Sequence, residues 1–324
     1  MFRIDRNLTA DDLGKALRRD VAEGLTSRPK QLPPKWFYDA RGSALFEEIT
    51  QLPEYYPTRA EREILARRVD EIAAAADASA LIELGSGSGL KTRLLLDALG
   101  RHGGLTRFVP VDVSGDFLAE SAEELAGAYP RLDVHAVVGD FEEHLGLLPV
   151  SEEGGRQLLA VLGSTIGNQV PDRRAGFLRD IHGALRGGDR LLLGVDLVKD
   201  PDRLVAAYDD AQGVTAEFDR NVLSVINTEL GADFDPAAFD HVARWNAEQE
   251  WIEMRLRARR DQTVHVADLD LTVRFDEGEE MLTEISAKFR QEGISAELDA
   301  AGFTLEHWWT DPDGDFAMAL ARVR

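Results

Sequence analysis

A glycine-rich turn between an apolar run and a helical pattern constrains this chain more than any other feature. The apolar run from Ala80 to Leu84 ends at Gly85, Gly87 and Gly89, and apolar residues then recur at helical spacing from Lys91 onward. This pattern predicts a strand, a tight turn and a helix. Glycine allows a positive φ and lets a ligand approach the bare N–H groups at a helix N-terminus. We therefore expect a small, nucleotide-like ligand at this turn.

The spacing of the glycines narrows the kind of ligand. A phosphate-binding P-loop needs G-x-x-x-x-G-K-[ST], and counting from Gly85 places Leu90 where the second glycine should stand. A dinucleotide fold needs G-x-G-x-x-G, whereas here the third glycine comes one position early. The G-x-G-x-G spacing, with Glu83 two residues before it, resembles motif I of the class I S-adenosylmethionine-dependent methyltransferases. A plain structural turn after a strand remains the alternative at this point.

Strands and helices alternate through short connections from Arg59 to Asp196, which predicts an α/β fold with a parallel sheet covered on both faces. In such sheets ligands bind at the carboxyl ends of the strands. Asp112 ends the second predicted strand, where a carboxylate can accept from ribose hydroxyls. Asp140 and Phe141 follow the third and suit an adenine amino group and ring face. Each carboxylate taken alone could be a simple strand cap.

The last 30 residues specify how the sheet ends. We predict a short helix at 294–301, a strand at 303–310 and a final strand at 316–323 that runs antiparallel to its neighbours. This ending resembles class I methyltransferases, whose Rossmann-like sheet has the strand order 3-2-1-4-5-7-6. A short helix near residues 142–145 is also expected.

About 90 residues before that ending exceed what such a sheet needs, and the first 58 contain proline-rich, aromatic loops. We assign residues 59–196 and 288–324 to an S-adenosylmethionine-binding domain. Residues 1–58 and 197–287 are assigned to a second, α+β substrate-binding domain.

Composition excludes several classes of partner. The formal net charge is −22, and so negative a surface repels nucleic acid and anionic membranes. The chain has no cysteine, and its seven histidines show no metal-binding spacing, so we expect neither disulfides nor a metal site. The N-terminus lacks a signal-peptide pattern, and we expect a cytoplasmic, monomeric protein that acts on a small molecule.

Several longer segments carry a more specific resemblance. They are Leu32-Pro-Pro-Lys-Trp-Phe-Tyr-Asp39, Leu52-Pro-Glu-Tyr-Tyr-Pro-Thr-Arg59, Glu83-Leu-Gly-Ser-Gly87, Gly139-Asp-Phe141, Leu162-Gly-Ser-Thr-Ile-Gly-Asn168, Asp196-Leu-Val-Lys199, Ala207-Tyr-Asp-Asp210 and Glu280-Met-Leu-Thr-Glu-Ile-Ser286. Together they resemble the L-histidine Nα-methyltransferases of ergothioneine biosynthesis, over residues 15 to 320. The resemblance implies three methyl transfers from S-adenosylmethionine to the α-amine of histidine, which give hercynine.

The resemblance also implies roles for individual residues. The methyl donor would be held by Gly85, Lys91, Asp112, Asp140 and Phe141. The amino-acid end of histidine would be held by Tyr55, Gly163, Asn168 and Tyr208. Glu284 and Ser286 would bind the imidazole, Met254 would complete the substrate set, and Tyr38 and Phe46 would lie near the amine. Asn168 and Tyr38 are the candidate catalytic residues. The role of Ser88 and the neighbouring residues up to Leu90 stays open.

The chemistry of methyl transfer fits a chain without an evident nucleophilic triad. The reaction is an in-line displacement, so the protein must orient a free amine and exclude water. Two other functions remain open: methylation of another amino acid or small amine, and a regulatory module that binds S-adenosylmethionine without turnover. Glu284 lies in an alternating stretch, where by default its side chain would point to solvent, and Tyr55 could serve packing alone.

Overall fold

The computed structural model describes residues 2–87, 89–102, 104–140, 145–148 and 155–324. In chain order the strands are β1 (Phe2–Arg6), β2 (Ala80–Leu84), β3 (Arg107–Asp112), β4 (Asp133–Val138), β5 (Gln157–Val161), β6 (Arg190–Asp196), β7 (Phe239–Asn246), β8 (Trp251–Ala258), β9 (Gln262–Val266), β10 (Leu271–Phe275), β11 (Glu280–Ala287), β12 (Phe303–Thr310) and β13 (Phe316–Val323). The α-helices are α1 (Ala10–Thr26), α2 (Ala40–Gln51), α3 (Pro57–Ala76), α4 (Leu90–Arg101), α5 (Gly115–Ala128), α6 (Pro171–Ala184), α7 (Pro201–Tyr208), α8 (Val214–Leu230) and α9 (Gln291–Ala300).

The chain divides into two compact units. Unit 1 consists of Met1–Leu8, Pro57–Val198 and Phe289–Arg324, and unit 2 consists of Thr9–Tyr56 and Lys199–Lys288. The assignment of one part of the chain to donor binding and of the other to substrate binding stays a prediction.

An eight-stranded sheet forms the centre of unit 1. Its strand order is β1-β4-β3-β2-β5-β6-β13-β12. Without β1, this is the predicted order 3-2-1-4-5-7-6, and β13 runs antiparallel to both β6 and β12, as expected. Every residue of β2 and β5 is buried, because these parallel strands are covered on both faces, and all of them except Glu83 and Gln157 are apolar. The α/β, Rossmann-like fold is therefore confirmed.

The edge strand β1 was not predicted, and it places residues 2–6 in unit 1 rather than in the second domain. It pairs in parallel with β4, from Phe2 opposite Val134 to Arg6 opposite Val138. Its burial pattern is that of an edge strand with mostly exposed residues. Such a strand carries little apolar signal, because its stability comes from the backbone hydrogen bonds to its neighbour.

The parallel register brings the functional ends of the strands to one edge of the sheet. Leu84 lies opposite Val111 on one side and Val161 on the other, and Asp112 lies opposite Val138. The turns that follow β2, β3, β4 and β5 therefore emerge at the same edge, as ligand-binding α/β sheets require.

Unit 2 combines helices with two small antiparallel sheets. One has the order β11-β8-β7, and the other is the hairpin β9-β10. Helix α1 begins at Thr9, whose side chain and that of Asp12 cap each other's backbone N–H groups. The apolar residues of this unit form their own core, to which Phe37, Val222 and Leu256 contribute fully buried side chains.

Among the residues that the structure describes, no helix has both the length and the apolar character that a bilayer crossing requires.

Candidate active site

The glycine turn after β2 has the conformation that its sequence predicts. Gly85, Gly87 and Gly89 have φ values of +70°, +50° and +70°. The N–H of Gly85 donates to the carbonyl of Val111 at 2.8 Å, which fixes the turn against the end of β3. Gly89 is the N-cap of α4, and no side chain of the described residues caps this helix. The N–H groups of the turn itself are paired within the protein, so it is the first turn of α4 that offers N–H groups to a ligand, while Ser88 lies outside the described residues.

Asp112 lies at the end of β3, directly beside this turn. Its carboxylate accepts from the backbone N–H of Ser114 at 2.9 Å and from the N–H groups of Gly87 and Val113. Burial raises its pKa, and these donors offset part of that effect. An acceptor with this placement suits the hydroxyls of a ribose, which is the role predicted for it.

Lys91 pairs with a carboxylate that the sequence analysis did not single out. Glu61 of α3 has a fully buried side chain and accepts from the ammonium of Lys91. It also accepts from the N–H of Gly163 at 2.7 Å. Glu61 thus connects the first turn of α4 with the end of β5. The helical pattern could have indicated Glu61, because this carboxylate falls on the buried face of α3 together with Ile64 and Leu65.

A second buried carboxyl group, that of Glu83, stabilises the glycine turn. Glu83 accepts from Thr92 Oγ1 at 2.6 Å and from Ser86 Oγ at 3.2 Å. Burial raises its pKa to about 7, although both hydroxyls and the charge of Lys91 lower it. This side chain joins β2 to the turn and to α4, so its contacts are those of a structural residue.

The remaining predicted residues of unit 1 follow β4 and β5. Asp140 is buried two residues after β4 ends, whereas Phe141 lies outside the described residues, as does most of the expected helix near 142–145. Gly163 has a φ of +69°, and the short 3₁₀ helix Thr165–Asn168 follows it. Asn168, half-buried, ends that helix.

In unit 2 the predicted aromatic residues contact one another. The ring centroids of Tyr38 and Phe46 are 5.6 Å apart, those of Phe46 and Tyr55 are 6.3 Å apart, and those of Tyr55 and Tyr208 are 6.1 Å apart. All three pairs meet edge to face. Phe218 of α8, which had no assigned role, lies 5.4 Å from Tyr38. The structure therefore joins residues of two loops and three helices into one aromatic cluster.

A buried polar network adjoins this cluster. The hydroxyls of Tyr208 and Ser286 lie 2.7 Å apart, and Lys288 donates to each of them at 2.8 Å. The ammonium of Lys288 also lies 4.6 Å from the centre of the Tyr208 ring. Tyr208 and Ser286 were predicted to serve the same substrate, and they are in contact. Lys288 was missed because it falls at the predicted domain boundary.

Glu284 does not lie open to solvent, as a strand residue at its position would by default. The residue is half-buried, and the surrounding protein shields its carboxyl group from much of the solvent. Burial and the charge of Asp219 raise its pKa to about 8, against the opposing charges of Lys288 and His241. No hydrogen bond from the described part of the chain reaches this carboxyl group. Met254 lies opposite Glu284 in the ladder between β8 and β11.

The carboxylates that come close enough to hold a metal ion, among the described residues, lie elsewhere. Asp311, Asp313 and Asp315 form the turn between β12 and β13, with ligand atoms within 4.8 Å of one another. One oxygen of Asp311 accepts from the N–H groups of Asp315 and Phe316, and the other accepts from that of Asp313. These contacts are those of a side chain that closes a turn.

Two comparisons with known proteins agree with this geometry. A family model described as histidine-specific, S-adenosylmethionine-dependent methyltransferase matches residues 17–323. A histidine N-alpha-methyltransferase from Mycolicibacterium smegmatis is 59% identical over 97% of both chains, and one from Mycobacterium tuberculosis is 58% identical over 97% of this chain and 98% of the relative. Ergothioneine biosynthesis protein 1 of Neurospora crassa is 36% identical over 63% of this chain and 23% of the relative.

The family match covers residues of both units. The chain belongs to the family of histidine-specific, S-adenosylmethionine-dependent methyltransferases.

Proposed function

We propose that this protein transfers three methyl groups from S-adenosylmethionine to the α-amino group of L-histidine. The product is hercynine, and the reaction is the first step of ergothioneine biosynthesis. The observation that carries the proposal is the pair of histidine N-alpha-methyltransferases, both nearly 60% identical over almost the whole chain. The contacts within each unit supply the chemistry.

Unit 1 is suited to the methyl donor. Bound S-adenosylmethionine supplies an electrophilic methyl carbon on a sulfonium. Asp112 offers a carboxylate to the ribose hydroxyls, and the positive-φ glycine turn lets a ligand come close to the N–H groups in the first turn of α4. We assign the donor's carboxylate to Lys91 and its adenine to Asp140 and Phe141.

Unit 2 is suited to the imidazole of histidine. Glu284 supplies an enclosed carboxyl group that no described residue satisfies, and such a group favours a ligand that can hydrogen-bond to it. The hydroxyl of Ser286 is held by Tyr208 and Lys288 and can meet the other ring nitrogen. An apolar amino acid of the same size would leave Glu284 unpaired, so this site rejects it. Met254, opposite Glu284, provides an apolar neighbour.

The amine itself needs orientation rather than a strong base. In peptides an α-ammonium group has a pKa of about 8, so a fraction of such amines is uncharged near neutrality. We assign Asn168 and Tyr38 to orient this amine, with Gly163, Tyr55 and Tyr208 at the amino-acid end. Aromatic faces such as that of Phe46 tolerate the quaternary cation that accumulates with each methylation.

Four further properties belong to the proposal. The reaction requires no metal ion, because the donor already carries the electrophile. The strongly negative chain avoids nucleic acid and anionic membranes. We propose that the protein acts as a monomer and in the cytoplasm.

The experiment is incubation of the protein with S-adenosylmethionine and an equimolar mixture of the common amino acids, followed by mass spectrometry. We expect histidine with three added methyl groups, together with its mono- and dimethyl intermediates at early times. Methylation of another amino acid in preference to histidine would contradict the proposal, and it would favour a different amine as the substrate. Donor binding without any methylated product would favour a regulatory module.

A further inference from the structure

A fully buried ion pair in unit 2 has no place among the assigned substrate contacts. Nδ1 of His241 on β7 lies 2.6 Å from Oδ2 of Asp219 on α8, and the two side chains are 1% and 0% exposed. Nε2 of His241 lies 2.7 Å from the backbone carbonyl of Tyr208. Both partners accept hydrogen bonds, so both ring nitrogens must donate and the ring is a cation. Burial by itself lowers the pKa of His241, but Asp219 and the Tyr208 carbonyl outweigh it and raise that pKa.

The contact with Tyr208 fixes the end of a short helix. Tyr208 is the last residue of the eight-residue helix α7, and its carbonyl lacks a partner within that helix. His241 supplies the missing donor and places a positive charge at the helix C-terminus, where the helix dipole favours it. This contact sets the backbone that carries the Tyr208 side chain. The hydroxyl of that side chain meets Ser286 and Lys288.

The pair also adjoins the acceptor that we assign to the imidazole. Ala243 lies opposite Met254, and Met254 lies opposite Glu284, so the face of the sheet that carries Glu284 also carries His241, two residues from Ala243. Three charged groups act on Glu284: Asp219 from α8, His241 from β7 and Lys288 from the end of β11. Asp209 also acts on His241. Oδ1 of Asp219 is buried and has no hydrogen-bond partner among the described residues.

Stability alone is a weak reason for such a pair. The desolvation of two buried charges commonly equals or exceeds their attraction, and an apolar replacement is often neutral or stabilising. What the pair provides is a defined arrangement: one donor for the Tyr208 backbone and one carboxylate beside Glu284.

We propose that His241 and Asp219 form a positioning pair for histidine recognition, in which His241 holds Tyr208 in place and Asp219 holds His241. Neither residue contacts the reacting atoms. The proposal rests on the proposed function, because it concerns how the same enzyme binds its histidine substrate.

Two amide substitutions separate the two contacts of His241. In His241→Gln the longer side chain places an N–H near the position of Nε2 and retains a donor for the Tyr208 carbonyl. In His241→Asn the shorter side chain places an N–H near Nδ1 and retains only the contact with Asp219. We expect KM for histidine to rise about tenfold in His241→Asn, which loses the contact with Tyr208, and about threefold in His241→Gln, which keeps that contact but loses the one with Asp219. The kcat and the KM for S-adenosylmethionine should stay within about twofold of wild type in both.

The outcomes are distinguishable. Equal histidine KM values in both variants, or a joint rise of both substrates' KM values, would overturn the positioning role. If wild type itself methylates no histidine, the proposed function fails, independently of His241. Should the variants not fold, ¹⁵N NMR of the histidine rings in wild type decides the matter. We expect both nitrogens of His241 to remain protonated at pH 7.5, and a neutral ring there would overturn the proposal.

Discussion

The two units assemble their polar residues in different ways. In unit 1 the candidate ligand groups belong to one continuous turn and to the ends of neighbouring parallel strands, so the sheet register alone aligns them. In unit 2 the candidate groups come from loops, helices and an antiparallel sheet far apart in sequence, and buried polar contacts hold them. Tyr208 and Lys288, for example, are 80 residues apart. The parallel sheet of unit 1 therefore aligns its candidate ligand groups by strand order and register, whereas unit 2 requires a specific network of side chains.

The largest expected effect tests whether unit 1 also depends on a buried pair. Lys91→Met leaves the fully buried carboxylate of Glu61 with only the N–H of Gly163. Removing one partner of a buried pair is costly, and we expect a loss of about 3 kcal/mol in the free energy of unfolding. Denaturant unfolding measures it. The double variant Glu61→Gln/Lys91→Met should recover much of the loss, and no recovery would mean that Lys91 stabilises the unit by other contacts.

Glu284→Ala tests whether the two units bind their ligands independently. It removes the enclosed acceptor that we assign to the imidazole, so histidine binding should weaken by about 1 to 3 kcal/mol. The affinity for S-adenosylmethionine should not change. Isothermal titration with each ligand measures both, and Asp112→Ala is the matched control, with the donor's affinity reduced and that of histidine kept. Loss of donor affinity in Glu284→Ala would show that the two units do not bind their ligands independently.

The pH dependence of stability gives a smaller effect with a definite sign. The pKa of Glu284 is about 8 in the folded protein, against an ordinary value of 4.5 for glutamate. From pH 5 to 8 the unfolded chain ionises this group while the folded protein keeps its proton, so wild-type stability falls as pH rises. Glu284→Gln lacks this loss, and its stability should gain about 1 to 2 kcal/mol on wild type across the window.

Denaturant unfolding at unit steps of pH, without histidine, measures this difference. Glu83→Gln is the control. Because the pKa of Glu83 is about 7, the stability difference between this variant and wild type should stop growing about one pH unit lower. A constant difference between wild type and Glu284→Gln from pH 5 to 8 would show that the Glu284 carboxyl is solvated.

The smallest expected effect concerns a local interaction in unit 2. Thr9→Ala removes the capping box of α1, in which Thr9 and Asp12 satisfy each other's N–H groups. We expect a loss of about 1 kcal/mol in the free energy of unfolding, with Thr9→Ser close to wild type. The affinities for both ligands should stay unchanged, because no assigned ligand residue lies in α1. A change in histidine affinity would connect α1 to the substrate network.

The sequence by itself determined the features whose physical cause is local or periodic. The glycines between β2 and α4 allow positive φ, and the apolar runs of β2 and β5 require burial on both faces. The alternation of helices and strands predicted a parallel sheet, with Asp112 and Asp140 at strand ends. The strand order came from the resemblance to class I methyltransferases, and the sheet has that order.

The contacts between polar groups could not be predicted from the sequence and are seen in the folded structure alone. The edge strand β1 could pair anywhere, because its backbone bonds carry no side-chain signal. The spacing of Asp219 and His241, 22 residues apart on a helix and a strand, predicts no contact, and neither does that of Glu61 and Gly163. Alternation placed Glu284 toward solvent, yet its carboxyl is enclosed. The polar contacts share one physical reason. Desolvation and charge pairing depend on which groups the fold brings within a few ångströms of one another, and the periodicity of a sequence does not give these distances.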